Sequence, residues 1–115
     1  MEVKAKLRNY RVSARKARLL ADEIRGKGVE DALTILELSN KRFSKPLAKL
    51  VRSALASAVE KNERDRAGFA VDNLVVDTIM VDQGSSMWRI RARAQGRAAW
   101  IQRMTSHVSI VLAEH

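Results

Sequence analysis

Several features are missing from this chain of 115 residues, and each absence excludes a class of protein. There is no cysteine, which excludes disulfide frameworks, thiol catalysis, cysteine zinc sites and iron–sulfur clusters. The two histidines, His107 and His115, have no ligand or base partner at a useful spacing, and we interpret His107 as a structural hydrogen-bonding residue. No run of 18 apolar residues and no signal-type N-terminus is present, so we expect a soluble cytoplasmic protein with no membrane contact.

No group of residues has the spacing of a catalytic site. Asp72, Asp77 and Asp82 lie five apart, which turns Asp77 away from the other two and prevents a catalytic acid pair. The glycines around Lys27 lack the preceding strand and the full spacing of a phosphate-binding loop. We therefore predict that the chain is not an enzyme and that it holds no metal and no cofactor.

What the chain has in excess is positive charge, placed at its two ends. The net charge is +9, which indicates an anionic partner, with nucleic acid as the first choice and an anionic membrane as the second. Residues 1–27 carry +6, residues 28–82 carry −1 and residues 83–115 carry +4. Both basic blocks also contain Leu, Val, Ile, Met or Trp, so we expect both to be ordered when bound.

The N-terminal basic block predicts a strand followed by a helix, each with a cationic face. Residues 3–8 alternate apolar and basic side chains with a period of two, as in a strand with one basic side. Ser13 is typical of a helix N-cap and Gly26 of a glycine stop. The cations of these two faces are Lys4, Lys6 and Arg8 on the strand, and Arg11, Arg15, Arg18 and Arg25 on the helix.

Two more helices are predicted in the neutral middle. The first covers residues 29–38 and is acidic; the second begins near Ser44 as its cap and ends at Glu60 or Asn62. A start at Asn40 would require a kink, because Pro46 is harmless only in the first turn. Lys45, Lys49 and Arg52 share one side of this helix. Residues 62–73 are polar and indicate a loop.

The fold class follows from the order of the elements. Residues 74–81 and 107–112 are rich in Val and Ile and indicate strands, so residues 83–106 connect them. One strand, three helices and two strands predict an α+β fold, in which a small three-stranded antiparallel sheet packs on three helices. We expect residues 1–115 to form a single domain.

The connection at residues 83–106 is the most unusual part of the sequence. Its spacing fits a helix or a strand, but strands run into it from both sides and Gln95-Gly96 provides a turn, so we predict a long protruding β-hairpin. Pairing symmetric about Ala94 would place Trp88 opposite Trp100, Ile90 opposite Ala98 and Arg91 opposite Arg97. It would also place all the arginines on one face: Arg89, Arg91, Arg93, Arg97 and Arg103.

A hairpin of this kind needs an external counterion. Opposed like charges destabilise a strand pair, and an isolated two-stranded ribbon is marginal in water. Phosphate fits best, because a guanidinium binds it in bidentate fashion. The alternatives are a merely solvated face, a basic membrane-binding surface, and a DNA-bending architectural protein with basic β-arms. We predict that residues 85–103 are mobile in the isolated protein and become ordered when they bind a polyanion.

Four stretches of the chain resemble a known family. They are SARKARLLADEIRGK at residues 13–27, EKN at 60–62, VDTIMVDQG at 76–84 and RAQGRAAWIQRMTSHVSIVL at 93–112. In the last stretch, Arg93, Gly96, Arg97 and His107 fall at the family's spacing. Over nearly its whole length the chain is similar to large-subunit ribosomal protein twenty-two of the bacterial type.

The resemblance implies a structural protein that binds large-subunit ribosomal RNA, aids assembly and contributes to the wall of the peptide exit tunnel. Its partners would be ribosomal RNA, neighbouring ribosomal proteins and the nascent polypeptide, and it would be a monomer within the ribosome. The expected RNA-binding residues are the cations named above together with Lys16 and Lys27. The expected tunnel-lining residues are Met87, Trp88, Arg89, Ile90, Arg91, Ala92 and Gly96. The family usually carries a basic or amide residue where this chain has Trp88, and we hypothesise that Trp88 stacks on a base.

Overall fold

The computed structural model describes residues 2–65, 73–92 and 94–114, without the side chain of Asp65. The elements are β1 (Glu2–Tyr10), α1 (Ala14–Ile24), α2 (Val29–Leu38), α3 (Ser44–Asp65), β2 (Leu74–Ala92) and β3 (Ala98–Glu114), with a short 3-10 turn at Ala94–Gly96. The strands form one antiparallel sheet in the order β1-β3-β2. The predicted α+β class, three-stranded sheet and long hairpin are therefore confirmed.

The helices cover one face of the sheet, and we call the other face the open face. Alternate strand residues such as Val3, Val76 and Ile110 are buried against apolar stripes on the helices. The fully buried positions on α1 and α3 include Leu20, Ile24, Leu47, Val51 and Ala54. Burial of these side chains is the main contribution to stability, at about 25 cal/mol per Å² of apolar surface.

The helix ends agree with the sequence in part. The hydroxyl of Ser13 accepts a hydrogen bond from the backbone N–H of Lys16, and Gly26 follows α1 at φ +79°, as predicted. Ser44 is not a cap: it is the first residue of α3, and its hydroxyl donates to the carbonyl of Lys41 at 2.7 Å. The helix also continues to Asp65, so the predicted loop at residues 62–73 begins too early, because residues 62–65 contain no glycine or proline that would stop the helix. Residues 66–72 of that predicted loop lie outside the described residues.

The pairing of the hairpin differs from the predicted register. Ile90 lies opposite Trp100, Trp88 opposite Gln102 and Arg91 opposite Ala99. The cause is a pair of one-residue bulges on β2, one at Asp77 and one in the stretch between Gln83 and Ser86. At the end of the sheet where Leu74 lies opposite Glu114, the numbers of two opposed residues add up to 188, which is the predicted register. Each bulge on β2 raises this sum by one. The hairpin is therefore paired two residues away from the predicted register.

The outer edge of β2 is covered by α1 and by the residues that follow it. Arg18 donates from Nε and Nη2 to the carbonyl oxygen of Val81, at 3.3 and 3.0 Å, and Nη2 of Arg25 donates to the carbonyl oxygen of Ile79 at 2.8 Å. Two backbone hydrogen bonds join Val76 to the segment around Gly26. An edge strand that has its carbonyls occupied is a poor template for pairing with another chain.

The molecule is elongated because the hairpin leaves the body. Its principal extents are 65 × 26 × 16 Å and its Cα radius of gyration is 17.4 Å, whereas a compact domain of this length has a radius of about 13 Å. From residue 87 to residue 98, every described side chain is exposed. The cations of the hairpin are thereby carried away from the carboxylates of the body.

Candidate nucleic-acid interface

The two faces of the hairpin differ in chemistry. One face carries the side chains of Trp88, Ile90 and Trp100, which are 57, 63 and 67% exposed. The other carries Arg89, Arg91 and Arg103, interleaved with Met87, Ala99 and Ile101. The predicted division into an apolar and a cationic face is retained, since a shift of two residues leaves each side chain on its original side.

Among the described residues of β2 and β3, no arginine is paired with an arginine. Arg89 faces Ile101, Arg91 faces Ala99 and Arg103 faces Met87, so the predicted opposition of Arg91 and Arg97 is wrong. Arg97 instead lies just after the turn, outside both strands, while Arg93 is outside the described residues. Between these described strand residues, like-charge repulsion is therefore weaker than direct opposition would give. The shortage of carboxylates remains, because the sequence has none between Asp82 and Glu114.

The cationic face of the hairpin continues onto the open face of the sheet. β3 pairs with β2 and β1 without a bulge of its own, so its odd-numbered residues, from Arg103 to Val111, keep to one side. Lys4 and Lys6 of β1 pair with Val111 and Ser109 on that same side, with Arg8 next along the strand. The three cations are exposed, as predicted. They form with the hairpin arginines a basic surface that is not covered by any described helix.

The basic side chains of α1 and of the residues that flank it fall into two groups. Arg11, Arg15 and Lys16 are exposed, and within the described ranges they form no ion pair. Arg18 and Arg25 are bonded to the edge of β2, and Arg25 also pairs with Asp22. The predicted basic face is present on the surface, but two of its arginines, Arg18 and Arg25, also form hydrogen bonds to the backbone of β2.

The remaining predicted cations are exposed on the body. Lys27 contributes its backbone carbonyl to the bond with Val76, which leaves its ammonium group in solvent. Lys45 and Lys49 lie on α3, and Arg52 on the same helix donates to Glu37 of α2 at 3.1 Å. An exposed ion pair of this type contributes little to stability.

The base of the hairpin is fixed by a polar cluster that we call the hairpin root: Asn9, Gly84, Thr105, Ser106 and His107. The backbone N–H of Asn9 donates to Nδ1 of His107 at 3.1 Å, which confirms the structural role predicted for this histidine. The hydroxyl of Ser106 donates to the carbonyl of Val12 at 2.7 Å. Gly84 is needed because a Cβ there would lie 2.6 Å from Oγ1 of Thr105 and 3.1 Å from Nε2 of His107. Apart from His107, this cluster was missed by the sequence reasoning.

The turn at the end of the hairpin uses left-handed backbone conformations. Gln95 has φ +64° and Gly96 has φ +71°, so the predicted role of the Gln95-Gly96 pair is confirmed. Glycine adopts this conformation without strain. The predicted tip residues Met87, Trp88, Ile90 and Ala92 all lie on β2 near this turn and are exposed.

A groove lies beside the hairpin root, and we call it the basic groove. It is lined from three parts of the chain, within residues 11–20, 41–43 and 102–104, and it encloses about 840 Å³. Its basic side chains are Arg11, Lys16, Lys41 and Arg42. Arg103 borders the groove on β3, but its side chain lies on the cationic face of the hairpin. Lys41 and Arg42 were missed by the sequence reasoning, although an adjacent pair of cations before a helix is a usable signal.

Other kinds of site find no support in the described part of the chain. No cluster of three His, Cys, Asp or Glu side chains there could hold a metal ion. No described helix is long and apolar enough to cross a membrane. The arrangement is that of a basic nucleic-acid-binding protein, with a small α+β body and one extended cationic arm.

Comparison with known proteins gives the family. Residues 5–113 match the model of the family described as ribosomal protein L22p/L17e. The chain is 47% identical over 114 residues to the large ribosomal subunit protein uL22 of Geobacter metallireducens, and the aligned region covers 99% of each chain. It is also 47% identical to the protein of that name from Geobacter sulfurreducens, with 99% of this chain and 98% of the relative covered. The chain therefore belongs to the ribosomal protein L22p/L17e family.

Membership in this family defines the general function. The protein is a structural component of the large ribosomal subunit that binds ribosomal RNA, and it is not an enzyme. It is located in the cytoplasmic ribosome. The alternative of a DNA-bending architectural protein is set aside on this ground.

Proposed function

We propose that the protein docks on large-subunit ribosomal RNA as a monomer, through its open face and the exposed cations of α1 and α3, and that its hairpin forms part of the peptide exit tunnel wall. In this proposal residues 1–115 act as one RNA-binding domain, with the hairpin at residues 83–106. The partners are ribosomal RNA, neighbouring ribosomal proteins and, at the hairpin tip, the nascent polypeptide.

The observation that carries the proposal is the unbalanced charge of the hairpin. Its cationic face has no carboxylate to pair with along either strand between Asp82 and Glu114. In the isolated protein, only solvent ions can balance this positive charge. RNA phosphates on both sides of the hairpin would neutralise it along its whole length. The exposed Trp88, Ile90 and Trp100 then have bases, or a passing polypeptide, to cover them.

The body cations are proposed to set position, not sequence preference. These exposed cations lie on β1, α1 and α3 and in the segment after α1. They are Lys4, Lys6, Arg8, Arg15, Lys27, Lys45 and Lys49. Contacts of this kind with phosphate fix the orientation of a protein on RNA and carry no base preference. Arg52 can join them at the cost of its exposed pair with Glu37.

The tunnel-wall proposal is tested by cross-linking in ribosomes that hold a stalled, radiolabelled nascent chain. A photo-reactive amino acid at Ile90 should cross-link to the nascent chain, and the same amino acid at Lys49, on α3, should not. Both proteins must first be shown to be incorporated into the large subunit. Incorporation of variants at Met87, Ile90 and Ala92 with no nascent-chain cross-link from any of them would refute the tunnel role.

The stacking proposal for Trp88 has its own test. Trp88→Ala should increase the chemical reactivity of a ribosomal RNA base near the hairpin tip, while Trp88→Phe should preserve its protection. If Trp88→Ala leaves the reactivity of every base unchanged, then Trp88 does not stack.

A further inference from the structure

The basic groove brings together residues that are far apart in the sequence. One wall comes from the start of α1, a second from the segment before α3, and a third from β3 where the hairpin leaves the body. The segment before α3 is held in place by Phe43, whose ring packs on Tyr10 of β1 with ring centroids 5.5 Å apart. The groove is therefore a product of the folded body, and it does not depend on the outer half of the hairpin.

The charge in the groove is of one sign. Four basic side chains line it, those of Arg11, Lys16, Lys41 and Arg42, and among the described residues none of the lining side chains is a carboxylate. Lys41 pairs at 3.6 Å with Glu23, which lies outside the groove. Arg11, Lys16 and Arg42 form no ion pair in the part of the chain that the structure describes. A concave surface lined by one sign of charge focuses the field and favours an anionic ligand.

The floor of the groove is apolar and partly uncovered. Leu19 of α1 is 55% exposed, and Met104 of β3 is also exposed. Both line the groove together with the buried side chains of Leu20 and Phe43. An inorganic anion would satisfy the cations but leave this apolar surface in water, at a cost that increases with its area. The fitting ligand is anionic at its edge and has a flat apolar face.

We propose that the basic groove binds one nucleotide of ribosomal RNA whose base is turned out of its stack, with the base on Leu19 and Met104 and its phosphates on the surrounding arginines and lysines. This proposal rests on the proposed docking on ribosomal RNA and names one subsite of it. Paired RNA does not fit the apolar floor, because a duplex keeps the faces of its bases stacked inside. An unstacked base presents a face, and the planar guanidinium of an arginine can stack on its other side.

The test adds a carboxylate to the floor of the groove and compares it with the same change elsewhere. Leu19→Asp places a negative charge among the cations, and Leu38→Asp makes the same exchange on α2 at a leucine that is 78% exposed and does not line the groove. The measurements are filter binding of each full-length protein to transcribed large-subunit ribosomal RNA and chemical probing of the bases in each complex. Arg42→Glu, in the loop before α3, serves as a second groove variant if Leu19→Asp does not fold.

We expect Leu19→Asp to weaken binding by about tenfold or more, the size of one lost base-stacking contact together with an added repulsion. Leu38→Asp should bind as the natural protein does. At least one unpaired base protected by the natural protein should regain its reactivity with Leu19→Asp and with Arg42→Glu. If the natural protein binds and both groove variants leave base protection unchanged, the subsite is refuted while docking on RNA stands. If the natural protein itself does not bind the RNA, both proposals fail.

Discussion

The hydroxyl of Thr105 donates a hydrogen bond to the carbonyl oxygen of Ser85 at 2.6 Å, across the hairpin at the level of the second bulge. Thr105 is buried although it lies where the strands leave the body. It shares this place with Gly84, whose missing side chain leaves the room that the hydroxyl occupies. The exit of the hairpin is thus a packed joint, in which one residue has to be small.

Gly84→Ala should destabilise the protein because the new methyl group would collide with Thr105 and His107. Overpacking of this kind costs about 1–3 kcal/mol, measurable by urea denaturation of the isolated chain. Thr105→Ala removes one of the colliding groups, so the double variant should lose less stability than the two single variants add up to. Strict additivity would contradict the packed joint.

Arg18 and Arg15 should have separable effects, although both are exposed arginines on α1. Arg18→Met removes two donors to Val81 and should lower the free energy of unfolding by about 1 kcal/mol. Arg15→Met, which breaks no bond within the described structure, should change it by less than about 0.5 kcal/mol. In RNA binding, Arg15→Met should reduce the slope of log affinity against log salt concentration by about one or slightly less. Equal effects on stability would contradict the edge role of Arg18.

The register of the hairpin can be checked with engineered cysteines, since the chain has none of its own. Ile90→Cys with Trp100→Cys places two thiols at directly opposed positions, where Cα atoms about 4.5–5.5 Å apart suit a disulfide. Trp88→Cys with Trp100→Cys is the matched control on the same face, at a diagonal distance of about 7–8 Å. Mass spectrometry after mild oxidation should find the first bridge and not the second, and the reverse result would restore pairing symmetric about Ala94.

The hairpin should exchange its amide hydrogens quickly in the isolated protein. Beyond the hairpin root no described helix covers either face, and a two-stranded ribbon alone is marginally stable in water. We expect fast exchange over residues 87–102 and slow exchange over residues 106–112, where β3 is the central strand. Added ribosomal RNA should slow the exchange of the hairpin. Equal protection of both stretches without RNA would count against the prediction.

The elements of the fold could be predicted because their signals are local. The alternation in β1, the cap at Ser13 and the glycine at the end of α1 each act within a few residues. The register of the hairpin could not be obtained from symmetry, since it depends on two bulges. One bulge did leave a trace: the buried residues change from even numbers at Leu74 and Val76 to odd numbers at Ile79 and Val81.

The interface was predictable in kind and less so in detail. Charge and spacing identified the cationic faces of β1 and of the hairpin. They could not show that Arg18 and Arg25 lie against β2, because a helical stripe does not reveal what is across from it in space. The basic groove was not predicted from the sequence for the same reason. Two of its lining residues, Lys41 and Arg103, are 62 positions apart in the sequence and come close only in the folded chain.

The covered edge of β2 affects how copies of the protein that have not yet bound RNA interact with one another. Freshly synthesised copies of a basic protein with an open strand would be at risk of joining sheet to sheet into insoluble polymers. Here α1 and the segment after it already occupy the hydrogen-bonding positions along that strand, at Val76, Ile79 and Val81. This part of the β2 edge is therefore a poor template for pairing with another copy before RNA becomes available.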